Sequence, residues 1–361
     1  EIMNEGGISR RIVEFARALI GHVTGGLGYV GVVASMLFAG VSGSAVADTS
    51  AIGSILLPIM DKEGYKKTTS TALVAAAGTI GPIIPPSIPM IIFGVIGGVS
   101  VVKMFLGGIV PGMLIGIGLM TVWYFHAKKQ GYKSNSRATL REVVSAGKSA
   151  FWALILPVII LGGIISGIYT PTEAGVIAVV YAVLIGKFAY KELKLKRMPM
   201  ILTSSAKSSA VVLLLCGAAM SAAYLITTAQ IPSLLTQTLL EWSNNNVYIV
   251  MFLINILLLL VGMVMDLTPA LLILGPMLLP IATGFGLDPV YFGVVMVVNL
   301  CIGLITPPVG TVLYVVCGIS KISIGDLIKP VLPFVAVMVV VLAMITYLPG
   351  LVTFIPNLVN R

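Results

Sequence analysis

The feature that most constrains this chain is a pattern of glycines and prolines that occurs twice, 222 positions apart and without a gap. A short sequence segment also agrees between the copies, since Leu-Leu-Pro-Ile occupies 56–59 and again 278–281. Glycine and proline interrupt helices, and paired interruptions in two halves of a hydrophobic chain point to a transporter's binding site. The shared breakers are Gly40, Gly53, Pro58, Gly64, Gly81, Pro85, Pro86 and Pro111 in the first copy, and Gly262, Gly275, Pro280, Gly286, Gly303, Pro307, Pro308 and Pro333 in the second.

The composition identifies the surroundings of these breaks. Apolar residues make up 58% of the 361 residues and charged residues only 10%, with a mean hydropathy of +1.08. Soluble domains carry about 25% charged residues, so we expect a polytopic membrane protein with helical spans. The long apolar runs exclude an outer-membrane barrel, in which short strands alternate apolar and polar residues. The net charge of +9 is placed in loops, where it sets topology and does not indicate nucleic-acid binding.

Nothing in the sequence predicts an enzyme. No pattern of zinc ligands, nucleotide-binding loop or nucleophile triad occurs, and the three cysteines lie in apolar runs without metal-ligand spacing. His22 and His126 fall at span edges, where we expect interfacial positions. The chain begins with Glu1 and shows no signal-peptide pattern, so we expect it to start inside a longer protein.

Charged loops and apolar lengths near 20 residues divide the chain into spans. An amphipathic interfacial helix is predicted at 8–22. Each repeat begins with two apolar halves that form a candidate hairpin, followed by a long segment broken by prolines. Each candidate hairpin is either re-entrant or a pair of full spans. Both forms bring the chain back to the side on which it started, so the placement of charged loops leaves both interpretations open. The hairpins are 27–41 with 45–60 and 247–265 with 267–283, the broken segments are 68–98 and 288–317, and the single spans are 104–126, 151–168, 173–189, 208–230 and 330–348.

Positive charge falls almost entirely on one side of this arrangement. The basic loops at 127–148 and 190–207 share that side, which the positive-inside rule assigns to the cytoplasm, and only Lys103 and Arg361 fall on the other. Five single crossings separate the two copies, and because five is odd the second copy is inverted relative to the first. Inverted repeats are an architecture of secondary transporters. The alternative is a chance match among common residues, which an ungapped match of eight breakers opposes.

The first candidate site is Ser42-Gly43-Ser44 at the tip of the first hairpin. Glycine lets the backbone turn sharply and leaves carbonyls of one half-helix and amides of the next unpaired. Carbonyls can ligate Na⁺, and amides at a helix start can meet an anion. Its partner is the proline-rich stretch 81–87, whose freed carbonyls at mid-depth need a partner such as a cation. The alternative is a kink that neighbouring helices satisfy.

The second copy offers 262–269 and 303–308. Asp266 aligns with Ser44, and together with Asp48 it is a rare acid inside an apolar run, where a carboxylate is costly and usually functional. Each acid could instead cap a helix. For Asp266 we favour an ion or gating role. For Asp48 we favour capping or support of the tip, because it aligns with Ala270.

An anionic substrate would have few charged partners here, because no Lys or Arg lies at mid-depth in the repeats. It would then need helix ends, hydroxyls and bound Na⁺. The candidate hydroxyl and amide contacts are Ser42, Ser44, Thr79, Ser87, Asn299 and Thr306.

Four motifs resemble the large membrane (M) subunit of tripartite ATP-independent periplasmic (TRAP) transporters. They are Gly-Val-Ser-Gly-Ser-Ala-Val-Ala-Asp (40–48), Gly-Thr-Ile-Gly-Pro-Ile-Ile-Pro-Pro-Ser (78–87), Tyr-Thr-Pro-Thr-Glu-Ala (169–174) and Ile-Thr-Pro-Pro-Val-Gly (305–310). The resemblance covers essentially the whole chain, although the family carries further N-terminal membrane helices that this sequence does not contain.

The resemblance implies an all-α elevator-type transporter of the ion-transporter superfamily, with inverted repeats that each contain a re-entrant helical hairpin and a broken transmembrane helix. It divides the chain into an interfacial arm (1–26), two halves of a transport domain (27–98 and 247–317), and scaffold helices with loops (99–246 and 318–361). It also implies two or more coupled Na⁺ ions. Carried onto this chain, site 1 would use Ser42, Gly43, Ser44, Gly81, Ile84 and Pro86, and site 2 would use Met265, Asp266, Thr268, Gly303, Thr306 and Pro308.

The function implied by the resemblance is Na⁺-coupled import of an organic acid, such as a C4-dicarboxylate or a sialic acid, across the bacterial inner membrane. The implied partners are a small four-helix membrane (Q) subunit and a periplasmic substrate-binding protein. Two alternatives remain open at this stage. One is a stand-alone symporter or antiporter of the same superfamily, and the other is a channel or passive membrane subunit.

Overall fold

The computed structural model describes residues 1–133, 137–230, 237 and 246–359. Within these residues the fold contains helices and no strand. Six of the helices are long and apolar enough to cross a membrane, so the expected polytopic all-α membrane protein is confirmed. Arg361 and positions 134–136 of the first basic loop lie outside the described residues.

The first repeat follows a short helix α1 (Ile2–Glu5) and an amphipathic arm helix α2 (Ile8–Ile20). Its hairpin, broken segment and closing helix run in chain order. The elements are α3 (Gly26–Ser42), α4 (Ala45–Lys62), α5 (Lys67–Gly78), α6 (Ile88–Ile96) and α7 (Val101–Gln130).

In the described part of the chain between the repeats there are three helices, and the second repeat then reproduces the order of the first. The connecting helices are α8 (Leu140–Ile165), α9 (Pro171–Leu184), which continues as a π-helical turn Ile185–Ala189, and α10 (Met198–Thr228). The second repeat and the helix after it are α11 (Val247–Gly262), α12 (Leu267–Gly284), α13 (Pro289–Gly303), α14 (Thr311–Ser320), α15 (Ile324–Tyr347) and α16 (Gly350–Val359).

The repeat predicted from the sequence is present in the fold. Helix α4 shifted by 222 positions begins and ends where α12 does, and each break contains a cis Pro-Pro peptide bond at the equivalent place. The two copies also interlock reciprocally, because α4 packs on α14 while its counterpart α12 packs on α6. Each hairpin is therefore held by the broken helix of the other copy.

Helices α7 and α15 pack as parts of the repeats. Helix α15 lies along α5 and α7, and α7 lies along α3 and α13. Two glycines bring α7 close to the break between α5 and α6. A Cβ on Gly108 would clash with the Ile83 carbonyl oxygen, and a Cβ on Gly112 would clash with the Ile84 side chain. Both helices thus contact the broken segments, and α7 also contacts the first hairpin, although the division that the resemblance implied assigned them to the scaffold.

The arm helix α2 is attached at its two ends to different parts of the molecule. Near its start, the Arg11 guanidinium lies 2.8 Å from the Glu192 carboxylate and 3.9 Å from the centre of the Tyr190 ring, both just past α9. Near its end, Arg17 lies 3.2 Å from Glu63 at the base of the first hairpin. The arm therefore bridges the connecting helices and the first repeat.

Two helices begin earlier than the sequence predicted. Helix α8 begins at Leu140 instead of 151, and α10 begins at Met198 instead of 208, so much of the two expected basic loops is helical. A capping box starts α8, because the Thr139 hydroxyl accepts the Glu142 amide hydrogen at 3.3 Å while the Glu142 carboxylate accepts that of Thr139 at 2.7 Å. Lysine and arginine also have high helix propensity, so a basic stretch does not end a helix.

Candidate functional site

The first hairpin turns at Gly43, between the end of α3 and the start of α4. Gly43 has φ 65° and ψ 16°, a left-handed conformation that glycine adopts without steric cost. Ser44 caps α4, since its Oγ accepts the Ala47 amide hydrogen at 3.4 Å, and Ser42 Oγ accepts the Ser44 amide hydrogen at 3.3 Å. Both hydroxyls therefore lie at the positive end of α4, which favours anions and polar ligands.

The tip of this hairpin contacts the break between α5 and α6. A Cβ built on Gly43 would lie 2.6 Å from the Pro86 carbonyl oxygen and 3.3 Å from the Ile88 amide nitrogen, so a larger residue does not fit. The hairpin therefore ends partway along the broken segment, which favours a re-entrant hairpin over two full spans. The contact brings the hydroxyl-bearing tip predicted for site 1 against a carbonyl of the proline break.

A buried carboxylate lies beside this contact. Asp48, in the first turn of α4, is 0% exposed, and its carboxylate lies against the Cα of Gly81, where a side chain would clash with it. Neither oxygen meets hydrogen-bond geometry with a described residue, although the Ser42 hydroxyl lies nearby. The Thr49 hydroxyl is also buried without a partner in the described part of the chain. Of the two roles favoured for Asp48, capping is wrong, because Ser44 caps α4, and support of the tip stays a prediction.

The chemistry around Asp48 suits a cation. A buried carboxylate that accepts no hydrogen bond is strongly disfavoured unless a positive charge or a proton accompanies it. Nearby groups are the Ser42 hydroxyl and the Gly78 carbonyl oxygen, and oxygens of this kind are the ligands that hard cations such as Na⁺ prefer.

The second tip meets its break through backbone atoms. Helices α11 and α13 cross where a Cβ on Gly303 would lie 2.5 Å from the Gly262 carbonyl oxygen. Beyond the break, the Val309 amide donates to the Met263 carbonyl at 3.2 Å. The Thr306 hydroxyl is engaged, since it donates to the Ile302 carbonyl at 2.7 Å.

Asp266 stands at the N-cap of α12 but makes no side-chain capping bond. It is exposed, and its Oδ1 accepts a hydrogen bond from the Thr311 hydroxyl at 3.0 Å, across the break. Met265 and Thr268 beside it are half-buried, whereas Pro308 is exposed. The two tips therefore resemble each other in backbone and differ in the burial of their acids.

Three of the predicted substrate contacts are used in packing. Thr79 is buried and donates its hydroxyl to a carbonyl of its own helix end, and Ser87 is buried and caps α6. Asn299 is buried and donates its amide to Asn255 Oδ1 at 2.8 Å. The backbone of Ser87 lies at the first tip, since its Cα is 3.4 Å from the Cβ position of Gly43, whereas Thr79 and Asn299 make their hydrogen bonds elsewhere.

A cavity of about 430 Å³ opens at the first tip, between the hairpin and the connecting helices. On the hairpin side it is lined by the two tip serines, Ser42 and Ser44, among apolar neighbours. On the opposite side it is lined by Ala178, Val179 and Ala182 of α9 and by Ser205, Ser208 and Ser209 of α10. A larger cavity of about 570 Å³ lies along the arm α2 and contains none of the tip residues.

Residues 1–351 match the family described as "Tripartite ATP-independent periplasmic transporter, DctM component". The chain belongs to this family. It is 44% identical to the large permease of the 2,3-diketo-L-gulonate TRAP transporter of Escherichia coli, over 98% of this chain and 83% of that protein. The large permease of the sialic acid TRAP transporter of Vibrio cholerae is 40% identical over 99% and 83%. The C4-dicarboxylate TRAP transporter large permease DctM of Pseudomonas aeruginosa is 39% identical over 98% and 83%.

Membership of the TRAP large-permease family confirms the resemblance inferred from the four motifs. It also identifies the chain as a multi-pass membrane transport protein and not an enzyme. The structure adds two groups to the candidate site that the sequence-based prediction did not include. Asp48 was set aside because its repeat partner is Ala270, yet it lies four residues after Ser44 and so one turn along the same helix face. The α10 serines were partly assigned to a loop, although 205, 208 and 209 have helical spacing.

Proposed function

We propose that this chain is the Na⁺-coupled permease of a tripartite system that imports an organic acid. The observation that carries the proposal is the Asp48 carboxylate, which is buried without a hydrogen-bonding partner in the described structure, where the hairpin tip meets a proline break. Such a group calls for a cation that can bind and leave. The organic acid is supported by the relatives, which are named for 2,3-diketo-L-gulonate, sialic acid and C4-dicarboxylate transport.

Na⁺ is cargo in this proposal, and two ions are the smallest number that the repeat supports. The first would bind among the hydroxyls and carbonyls of Ser42, Gly43, Ser44, Gly81, Ile84 and Pro86, with Asp48 supplying the negative charge. The second would bind around Met265, Asp266, Thr268, Gly303, Thr306 and Pro308. Support comes from the fact that both tips contact their breaks through backbone atoms.

The proposed mechanism is an elevator movement of the repeats against α8, α9 and α10. We place α7 and α15 in the moving unit, in contrast to the division that the resemblance implied. This placement is supported by the packing of α7 along α3 and α13 and of α15 along α5.

The proposal includes the partners and orientation expected of a tripartite system. A small four-helix membrane subunit and a periplasmic substrate-binding protein would complete it, in the bacterial inner membrane with the basic loops in the cytoplasm. Exposed aromatic residues on α8, such as Phe151 and Trp152, give apolar surface for lipid or the small subunit.

Uptake into proteoliposomes tests the proposal. The permease is reconstituted with its small subunit, the binding protein is added outside with a labelled acid, and Na⁺ and proton gradients are imposed separately. We expect saturable accumulation that needs both the Na⁺ gradient and the binding protein. Uptake driven by protons alone would contradict the ion assignment. Uptake without the binding protein would indicate a stand-alone symporter, and non-saturable flux a channel.

A further inference from the structure

Helix α10 carries an unusually polar run for an apolar helix. The sequence Thr-Ser-Ser-Ala-Lys-Ser-Ser at 203–209 contains five hydroxyls and lies wholly within the helix. Two of these hydroxyls are engaged, since Thr203 donates to a carbonyl one turn back at 2.8 Å and Ser204 donates to the Glu1 carboxylate at 3.1 Å. The other three have no hydrogen-bond partner among the described residues, and all three line the cavity at the first tip. They are Ser205, Ser208 and Ser209.

The serines of α10 face the tip serines across the cavity. Ser42 and Ser44 line one wall, and Ser205, Ser208 and Ser209 line the other, so one molecule that fills the cavity can contact both walls. A hydroxyl that faces a cavity without a protein partner can bond a polar ligand there.

We propose that Ser205, Ser208 and Ser209 form the scaffold half of the substrate site and select a polyhydroxylated monocarboxylate; this rests on the proposed function. The carboxylate end binds at the N-terminus of α4, where Ser42 and Ser44 present hydroxyls and backbone amides. The hydroxylated tail extends across the cavity to α10, whose hydroxyls both donate and accept.

The charges around the cavity oppose a dicarboxylate. No Lys or Arg is among the described residues that line it, and the one charged lining residue, Glu1, is itself acidic. A second carboxylate would therefore face the apolar wall of α9 and neutral hydroxyls without a positive partner, which is costly in a desolvated site. Substrate hydroxyls at the same place are satisfied by hydroxyl groups already present.

In an elevator movement, one wall of the cavity moves with the substrate and the other stays in place. The tip serines travel with the substrate, whereas α10 belongs to the part that stays in place. Contacts to α10 then exist only while the tip faces this cavity. The α10 serines therefore set selectivity and affinity in this state, and they leave the Na⁺ dependence unchanged.

Binding to the purified permease complex in nanodiscs tests the proposal without selection by the binding protein. Three probes are titrated at saturating Na⁺: gluconate, hexanoate of the same chain length without hydroxyls, and succinate. We expect gluconate to bind about tenfold or more tightly than either of the others. The variant Ser205→Ala/Ser208→Ala/Ser209→Ala is expected to lose about tenfold of that preference, which corresponds to about 1.4 kcal/mol, because its side chains no longer bond the hydroxylated tail.

Two further variants separate recognition from folding. Ser208→Thr keeps a hydroxyl and should retain the preference for gluconate. Ser221→Ala removes a hydroxyl from the same helix that bonds within it, to the Gly217 carbonyl at 3.2 Å, and should change nothing. Tighter binding of succinate, an unchanged preference in the triple variant, or no binding of any probe would each overturn the inference. Failure of the proposed function would appear separately, as wild-type uptake that does not depend on Na⁺.

Discussion

The carboxylate of Asp48 lies directly against the Cα of Gly81, so the first turn of α4 and the start of the proline break meet around a buried negative charge. The glycine is required because any side chain at 81 would occupy the position of the carboxylate. The charge in turn is placed where the hairpin tip meets the break. A single contact between two residues thus joins the ion site that we propose to the tip of the hairpin.

Asp48→Asn keeps the shape of this side chain and removes its charge. We expect the concentration of Na⁺ for half-maximal uptake to rise at least about tenfold, because the cation loses its anionic ligand. Stability without Na⁺ should stay the same or increase, since an unpaired buried charge is removed. Uptake at increasing Na⁺ concentration measures the first effect, and thermal unfolding in choline chloride and in NaCl measures the second. Asp61→Asn, at the exposed end of the same helix, is the control, and a variant at 48 that Na⁺ stabilises as much as it stabilises the wild type would refute the assignment.

Asp266→Ala should impair the second ion site and leave the first largely intact. The two acids lie in different surroundings, since Asp48 is buried and Asp266 is exposed with the Thr311 hydroxyl as its partner. The Na⁺ dependence of uptake should therefore become less cooperative but remain saturable. Thr311→Val removes the partner and keeps the carboxylate, so it should have the smaller effect. Equal loss at both sites, measured as ion-flux ratios, would argue against two separate sites.

Glycines and prolines that interrupt helices allowed much of the fold to be predicted. A glycine or proline changes the backbone wherever the chain places it, so the break near Pro85 and Pro86 and its copy near Pro307 and Pro308 could be located before any contact was known. Local signals of this kind need no knowledge of neighbours. The placement of Gly43 and Pro86 in one site came from the family resemblance, and the structure shows that the two residues are in close contact.

The parts that were missed depend on what surrounds a residue. The role of Asp48 was predicted from its repeat partner Ala270. The burial of its carboxylate depends instead on the packing of the end of α5 against α4. The serines of α10 and the start of α8 lay near basic residues, which were taken as loop, although Lys and Arg extend helices at a membrane surface. Asn299 appeared as a polar group in a broken segment, and only the fold shows that Asn255 is its partner.

Gly303→Ala should destabilise the protein strongly. The added Cβ would lie 2.5 Å from the Gly262 carbonyl oxygen, and backbone cannot move aside as a flexible side chain can. Helices α11 and α13 would have to separate, at a loss of about 1–3 kcal/mol or more. Gly318→Ala is the matched control, because nothing lies within 4 Å of the Cβ position there. Thermal unfolding of the two variants should differ clearly, and equal stability would show that the crossing at Gly303 is looser than described.

The moving unit can be tested with a disulfide between α7 and α13. A Cβ on Gly107 would lie 3.1 Å from Val294 Cγ2, which suits a disulfide in Gly107→Cys/Val294→Cys. The background replaces the native cysteines by alanine. If α7 moves with the second repeat, oxidation should leave uptake largely unchanged, whereas loss of uptake would return α7 to the scaffold.

The contrasting disulfide joins the first hairpin to α8. The Cβ position of Gly40 lies 2.9 Å from Pro157 Cγ, so Gly40→Cys/Pro157→Cys forms the cross-link between a part that moves and one that stays. Oxidation should abolish uptake, and reduction should restore it, because the hairpin can no longer shift past α8. Uptake that persists with this bond formed would contradict the elevator movement itself, since the hairpin would then be working while fixed to its neighbour.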